Sequence, residues 1–214
     1  VSGIAERLGA IRAGLPERVT LVAVSKTQPP EAVREAYAAG QRHFGENYAQ
    51  EWRAKADALA DLPELVWHFI GGLQTNKVKY LAGRVGYVHT LDRLELAREL
   101  SRRFAARGAS VRVLLEVNVA GEAAKAGCAP AEVGALADAV RGLPALELRG
   151  LMCIPPAEGD PRPHFAALRR MNEALGLPDL SMGMSGDYLA AVAEGATLVR
   201  VGTAIFGARA PRAG

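Results

Sequence analysis

One rhythm constrains this chain more than anything else: eight short apolar runs, each set apart by a longer charged or alanine-rich segment. The runs are VTLVAVS (19–25), RHFGE (42–46), LVWHFIG (65–71), GYVHTL (86–91), VRVLLEVNV (111–119), LELRGLMCI (146–154), DLSMGM (179–184) and TLVRVGTAIFG (197–207). Several are continuous in apolar residues rather than alternating, which is the pattern of strands buried on both faces of a parallel sheet. Helix signals lie between them: Pro29 and Pro30 open a segment over 31–39 closed by Gly40, and Asp92 precedes RLELARELSRRFAAR, closed by Gly108. Strand followed by helix, eight times over, predicts an α/β fold built as a single (β/α)8 barrel of the TIM type. Ile4, Leu8, Ile11 and Leu15 recur at helical steps, so an extra amphipathic helix over 1–15 precedes the first strand. An open doubly wound sheet is the rival. It would normally carry a G-x-G-x-x-G or P-loop turn after its first strand, and here the turn reads SKTQPP.

At 214 residues the chain is lean for such a barrel, so residues 1–214 are expected to form one domain. Lys and Arg total 26 against 23 Asp and Glu, a net charge of +3 with no basic block to track a phosphate backbone, so no nucleic acid is expected as a partner. No run approaches the roughly 18 to 20 apolar residues of a membrane span, and the charged start VSGIAERLGAIRAGL is unlike a signal peptide. A cytoplasmic protein that meets no membrane is expected. Cys128 and Cys153 lie in no metal-ligand spacing and read as reduced thiols, and no metal site is expected.

Lys26 follows the first apolar run directly, at the strand end where barrels gather reactive groups. The chain has only five lysines against 21 arginines. Partial desolvation there would lower the amine's pKa and let it attack a carbonyl to form a Schiff base; the alternative is a strand-end lysine reaching to solvent. Ser185 follows the seventh run and Gly202 and Thr203 lie in the eighth, where a strand ends and barrels often hold phosphate on backbone N–H groups and hydroxyls; simple tight turns would use the same glycines. Arg200 interrupts an apolar strand and must point into the barrel mouth or lie against a carboxylate outside. Asn47, Asn76 and Asn118 each follow or end a strand and could supply neutral contacts. His68 and His89 lack the paired spacing of a metal site and read first as hydrogen-bonded core or rim side chains.

Taken in order, AVSKTQP, HFGENYAQE, WHFIGGLQTNK, HTLD, EVNVAGEAAKAG, RGLMCIP, LSMGMS and VRVGTAIFGAR resemble the signature of the pyridoxal-phosphate homeostasis protein family, from Val19 to Arg209. That family is similar in fold to the barrel domain of alanine racemase, fold type III of the pyridoxal-phosphate proteins. The resemblance implies pyridoxal 5'-phosphate as cofactor, held as a Lys26 aldimine, with Ser185, Gly202 and Thr203 at its phosphate and Arg200 facing the pyridine nitrogen. Asn47 and His68 match positions near the ring. The sequence departs from the family's usual phrases at GGLQTNK, where a Pro commonly follows the first Gly, at EVN, where Gln is usual, and at MSGDY, where a second acidic residue usually stands.

A racemase needs a proton donor or acceptor on each face of the cofactor, and in fold type III enzymes one comes from a second β domain across a dimer. This chain ends shortly after its eighth run. The expectation is therefore a monomeric binding protein that carries, buffers or delivers pyridoxal phosphate in vitamin B6 homeostasis, with pyridoxal-phosphate-dependent apoenzymes as partners. A small amino-acid racemase is the alternative, and a cofactor-free aldolase-type barrel acting through Lys26 is a third reading.

Overall fold

Each apolar run contains a strand, and each strand is shorter than its run. The computed structural model describes residues 3–122 and 125–207, so Val1, Ser2 and Arg209 lie outside the described residues. The strands are β1 (Thr20–Val24), β2 (His43–Glu46), β3 (Val66–Phe69), β4 (Tyr87–Leu91), β5 (Val111–Glu116), β6 (Leu146–Met152), β7 (Asp179–Ser181) and β8 (Leu198–Val201). They pair in chain order, all parallel, and close into a barrel. Closure rests on β1 and β8, where Leu21, Val22 and Ala23 stand opposite Val199, Arg200 and Val201.

Helices α2 (Pro30–Ala38), α3 (Ala49–Ala58), α4 (Val78–Leu81), α5 (Leu94–Ala105), α6 (Val133–Arg141), α7 (Arg162–Ala174) and α8 (Tyr188–Ala193) lie between successive strands. Helix α5 starts one residue later than the sequence suggests, with Arg93 at its N-cap and Asp92 held in an ion pair with Arg93 at 2.6 Å. The eighth run is not one strand: it extends to Val201, leaves the sheet at Gly202 and makes a one-turn helix, α9 (Thr203–Phe206). Beyond Val201 the chain has reached the rim: Gly202 and Thr203 line the mouth, and Ile205 is buried in the core under the helices. The expected leading helix is α1 (Ile4–Ala13), which buries Ile4, Leu8 and Ile11. Its Arg7 Nε donates to the carbonyl of Ile205 at 2.5 Å, tying α1 to α9, and its Arg12 donates to the Ala39 carbonyl and to Gln41 Oε1 at 2.8 and 2.7 Å.

The pleat sorts side chains between two environments. Outward residues such as Ala23, Phe44, Trp67, Val88, Val113 and Val199 join the large core under the helices. Inward, Val22, Leu114, Met152 and Leu198 form a separate small cluster inside the barrel. Continuing the inward parity past the strand ends carries β1 from Val22 to Val24 and Lys26, and β3 from His68 to Ile70. The backbone after β3 packs tightly on the backbone after β2: a Cβ on Gly71 would lie 2.1 Å from the Asn47 carbonyl oxygen. Gly71→Ala is expected to cost about 2 kcal/mol or more in urea unfolding, because backbone rather than a flexible side chain must move.

Candidate functional site at the barrel mouth

Six of the residues singled out from the sequence, Lys26, Asn47, Ser185, Arg200, Gly202 and Thr203, line one cavity of about 260 Å³ at the carboxyl ends of the strands. They arrive from β1, β2, the β7–α8 connection, β8 and its continuation, so the barrel alone brings them together. Val24, Ile70, Ile154 and Met184 complete most of the wall and give it an apolar side.

Lys26 sits on a loop that is clamped from outside the barrel. Lys55 of α3 is buried with Glu46 of β2, at 3% and 0% side-chain exposure, and their ion pair is 2.5 Å long. The same ammonium donates to the Ser25 carbonyl at 2.7 Å, and Ser25 Oγ donates to Glu46 Oε1 at 2.7 Å. Glu51 then accepts the Thr27 N–H at 2.5 Å, and Thr27 holds a left-handed φ of 64°. Residues 25 and 27 are thus fixed on either side of Lys26. Burial pushes the Glu46 carboxyl up from its ordinary value, and Lys55 and Ser25 oppose that push.

At the other wall, Ser185 Oγ accepts from the N–H groups of Gly202 and Ala204 at 3.3 and 3.5 Å. These are long contacts for N–H donors and leave both groups under-satisfied. Gly202 lies close against β1, where a Cβ would come within 3.3 Å of the Val24 carbonyl oxygen. Asn47 Oδ1 is buried with no hydrogen-bond partner among the described residues. Arg200 points inward at 4% exposure, resolving the choice left by the sequence. It donates to Ser181 Oγ at 2.6 Å and to the Cys153 carbonyl at 3.0 Å, and no carboxylate among the described residues lies within ion-pair distance. Burial pushes its guanidinium down from the ordinary value, against the pull of Cys153, Glu116 and Asp187, and it remains a donor only.

His68 does not line the cavity. It is fully buried lower in the barrel, between His43 and His89, where the parity of β3 aims it inward. Asn118 shapes its own loop through two bonds with the Glu122 backbone, and Asn76 borders an outer groove beside α5. Cys128 and Cys153 are free and buried. Glu116 was not picked out as a site residue, although its inward parity on β5 marks it. It is 6% exposed, and burial together with the Asp92 charge pushes its carboxyl up to about 7, with Arg200 opposing.

The fold and site define a closed parallel α/β barrel with a small cavity, part polar and part apolar, at the carboxyl ends of its strands. The family model for the alanine racemase N-terminal domain matches residues 1–210. A pyridoxal phosphate homeostasis protein of Pseudomonas aeruginosa is 54% identical over 199 residues, covering 91% of this chain and 86% of that protein. The protein of that name from Escherichia coli K12 is 46% identical, covering 91% of this chain and 87% of its own length. PipY of Synechococcus elongatus, solved with PLP bound, superimposes with a TM-score of 0.89 at 43% identity, covering 95% of this chain and all of that one. Alanine racemase of Corynebacterium glutamicum shares the fold, with a TM-score of 0.74 at 17% identity over 98% of this chain and 62% of its own. The chain belongs to the pyridoxal phosphate homeostasis protein family and carries the alanine racemase N-terminal domain.

Two expectations follow from the charges. Lys55→Met strands the buried Glu46 carboxylate and should cost about 3 kcal/mol in urea unfolding at neutral pH, with a smaller cost at acid pH where Glu46 is protonated. For Glu116 the folded state keeps its proton up to about pH 7, whereas the unfolded chain releases it near the ordinary 4.5. Stability therefore falls as pH rises between those values and is level above them. Glu116→Gln should remove that fall and stand on the order of 3 kcal/mol above wild type at alkaline pH, read as the difference between the two unfolding curves.

Proposed function

We propose that this protein binds pyridoxal 5'-phosphate at the barrel mouth and acts in intracellular vitamin B6 homeostasis as a carrier, buffer or delivery protein rather than as an amino-acid enzyme. The observation that carries this reading is the convergence of Lys26, Ser185, Arg200, Gly202 and Thr203 on one cavity from both ends of the chain. The residues present fit the group. The under-satisfied N–H groups of Gly202 and Ala204, with the hydroxyls of Ser185 and Thr203, suit a phosphate, and the absence of a side chain on Gly202 keeps the backbone accessible. The unpartnered Asn47 Oδ1 suits a polar ring substituent.

When bound, pyridoxal phosphate supplies an aldehyde carbon that is electrophilic toward a neutral amine. Lys26 is the amine on the cavity wall and the attachment point in this reading. Arg200 donates and never accepts a proton, so a pyridine nitrogen facing it stays unprotonated and the ring is a poorer electron sink than one paired with a carboxylate. Of the eleven described lining residues, only Lys26 and Arg200 are ionisable, and of these Arg200 is a donor only, so Lys26 is the one side chain that could serve as a base. A two-base racemase needs a second such group, and this supports the carrier reading over the racemase reading. The barrel closes on itself and leaves no sheet edge for a second copy to pair with, which supports residues 1–214 acting as a monomeric domain; in this reading it hands its cofactor to pyridoxal-phosphate-dependent apoenzymes in the cytoplasm.

The test is the visible spectrum of the purified protein mixed with pyridoxal phosphate, followed by borohydride reduction and peptide mapping. A coloured protein with the reduced adduct on Lys26 is expected, and Lys26→Ala should lose the adduct while unfolding within about 1 kcal/mol of wild type. A protein that stays colourless would overturn the reading. Exchange of the Cα proton of L- or D-amino acids in deuterated water, well above the rate with free cofactor, would favour the racemase.

A further inference from the structure

The barrel interior holds a polar column that the cavity itself does not account for. His43 Nδ1 and His68 Nε2 are 2.9 Å apart, His68 Nδ1 and His89 Nε2 are 2.9 Å apart, and His89 Nδ1 is 2.8 Å from Ser181 Oγ. Ser181 Oγ is also the acceptor for Arg200 at 2.6 Å. Five side chains from β2, β3, β4, β7 and β8 therefore form one unbroken line. It runs from half-buried His43, beside a groove at the amino-terminal end of the barrel, to the guanidinium in the cavity wall. His68, His89 and Ser181 are fully buried, and Tyr87 stacks flat on His68 with ring centroids 4.5 Å apart.

The direction of every bond in this line follows from its end. A guanidinium only donates, so Ser181 Oγ accepts from Arg200. The one proton of Ser181 then goes to His89 Nδ1, the remaining partner in the line. His89 must carry its proton on Nε2 and donate it to His68 Nδ1, and His68 in turn donates from Nε2 to His43 Nδ1. Every donor and acceptor in the line is used once. The opposite polarity would give Ser181 two incoming bonds and leave its own buried proton without an acceptor in the line. A cationic imidazole would reverse each bond on its Ser181 side. Burial holds both His68 and His89 well below the ordinary histidine value, reinforced for His89 by the charge of Arg200 and for His68 by that of Arg112.

We propose that Ser181, His89, His68 and His43 are positioning residues for Arg200, a chain of fixed direction that aims its guanidinium at the cavity while leaving its charge unneutralised. A carboxylate could hold Arg200 as firmly, but it would cancel the positive field that the ligand meets. A hydroxyl that itself donates to an imidazole is a stronger acceptor than an isolated one, and three imidazoles in series reinforce it. The column thus supplies firm orientation from neutral groups. This inference rests on the cofactor reading above for its ligand, but the direction of the chain does not.

The test uses the full chain labelled with 15N, first without cofactor. Imidazole 15N shifts should show His68 and His89 as neutral Nε2–H tautomers from about pH 6 to 8. A dominant Nδ1–H tautomer at His89, or a cationic His68 or His89 at neutral pH, would overturn the proposal. Loaded with pyridoxal phosphate, Ser181→Ala should bind about tenfold more weakly, with its absorption band and the pH profile of that band displaced, and Ser181→Thr should restore them. A Ser181→Ala band and profile superimposable on wild type would remove the positioning role. If Ser181→Ala fails to fold, the tautomers of wild type and the spectrum of Ser181→Thr still decide. A wild-type protein with the expected tautomers that takes up no pyridoxal phosphate would sink the cofactor reading and leave the chain's direction standing.

Discussion

The site depends on the pairing of the first strand with the last. The register that sets Val22 opposite Arg200 and Ala23 opposite Val201 closes the barrel, and it also decides what stands at the rim. Two steps beyond Val24 along the inward parity lies Lys26; one step beyond Val201 lies Gly202, pressed against the Val24 carbonyl. An amine and a pair of under-satisfied N–H groups thereby share one cavity although they come from opposite ends of the chain. A slip of one residue in this register would send Arg200 out of the barrel and bring Val199 in. Outside the wall, the buried Lys55–Glu46 pair finishes the task by tying the ends of β1 and β2 to α3.

The interior is divided between apolar and polar filling. Val22, Leu114, Met152 and Leu198 pack as an ordinary barrel interior, whereas the line from His43 to Arg200 occupies space that branched aliphatic residues usually fill. A buried polar group is costly unless its bonds are made, and a partly satisfied network is worse than an apolar one. The line avoids that cost because each imidazole passes one bond to the next. An isolated buried histidine would have no such relief, so the column must be kept as a whole.

The fold was legible in the sequence because burial on both faces of a strand leaves long apolar runs, and eight of them in order leave few architectures. Boundaries were less legible. The run over 197–207 gave no apolar sign that it would stop being a strand at Gly202, since Ala204, Ile205 and Phe206 continue the pattern and are buried, wholly or in part, by helical packing instead. Strand-end position and motif together picked out Lys26, Asn47, Ser185, Arg200, Gly202 and Thr203, which meet in one cavity. His68 was read as near the ring; the parity of β3 aims it inward but two residues short of Ile70, which is the residue that reaches the cavity. Lys55 and Glu46 could not be paired from sequence, because their meeting depends on how α3 packs across the ends of β1 and β2. Glu116 was visible only as a departure from the family's usual Gln.

The charges around the mouth share one arrangement. Lys26 and Arg200 stand in the cavity wall, and each of four carboxylates around the mouth is kept from pairing directly with Arg200 by a different device, although Glu116 and Asp187 still feel its charge. Glu46 faces outward from the barrel and is engaged by Lys55 and Ser25. Asp187 accepts the N–H of Met184 at 2.6 Å and so stabilises the loop that carries Ser185. Asp92 is paired with Arg93. Glu116, which has no such partner among the described residues, is buried, and burial pushes its carboxyl up to about 7. Supporting Arg200 with a serine and three neutral imidazoles continues the same pattern from below. A cavity built in this way keeps its positive potential for whatever enters it, and that potential suits a small anion carrying a phosphate far better than a neutral ligand.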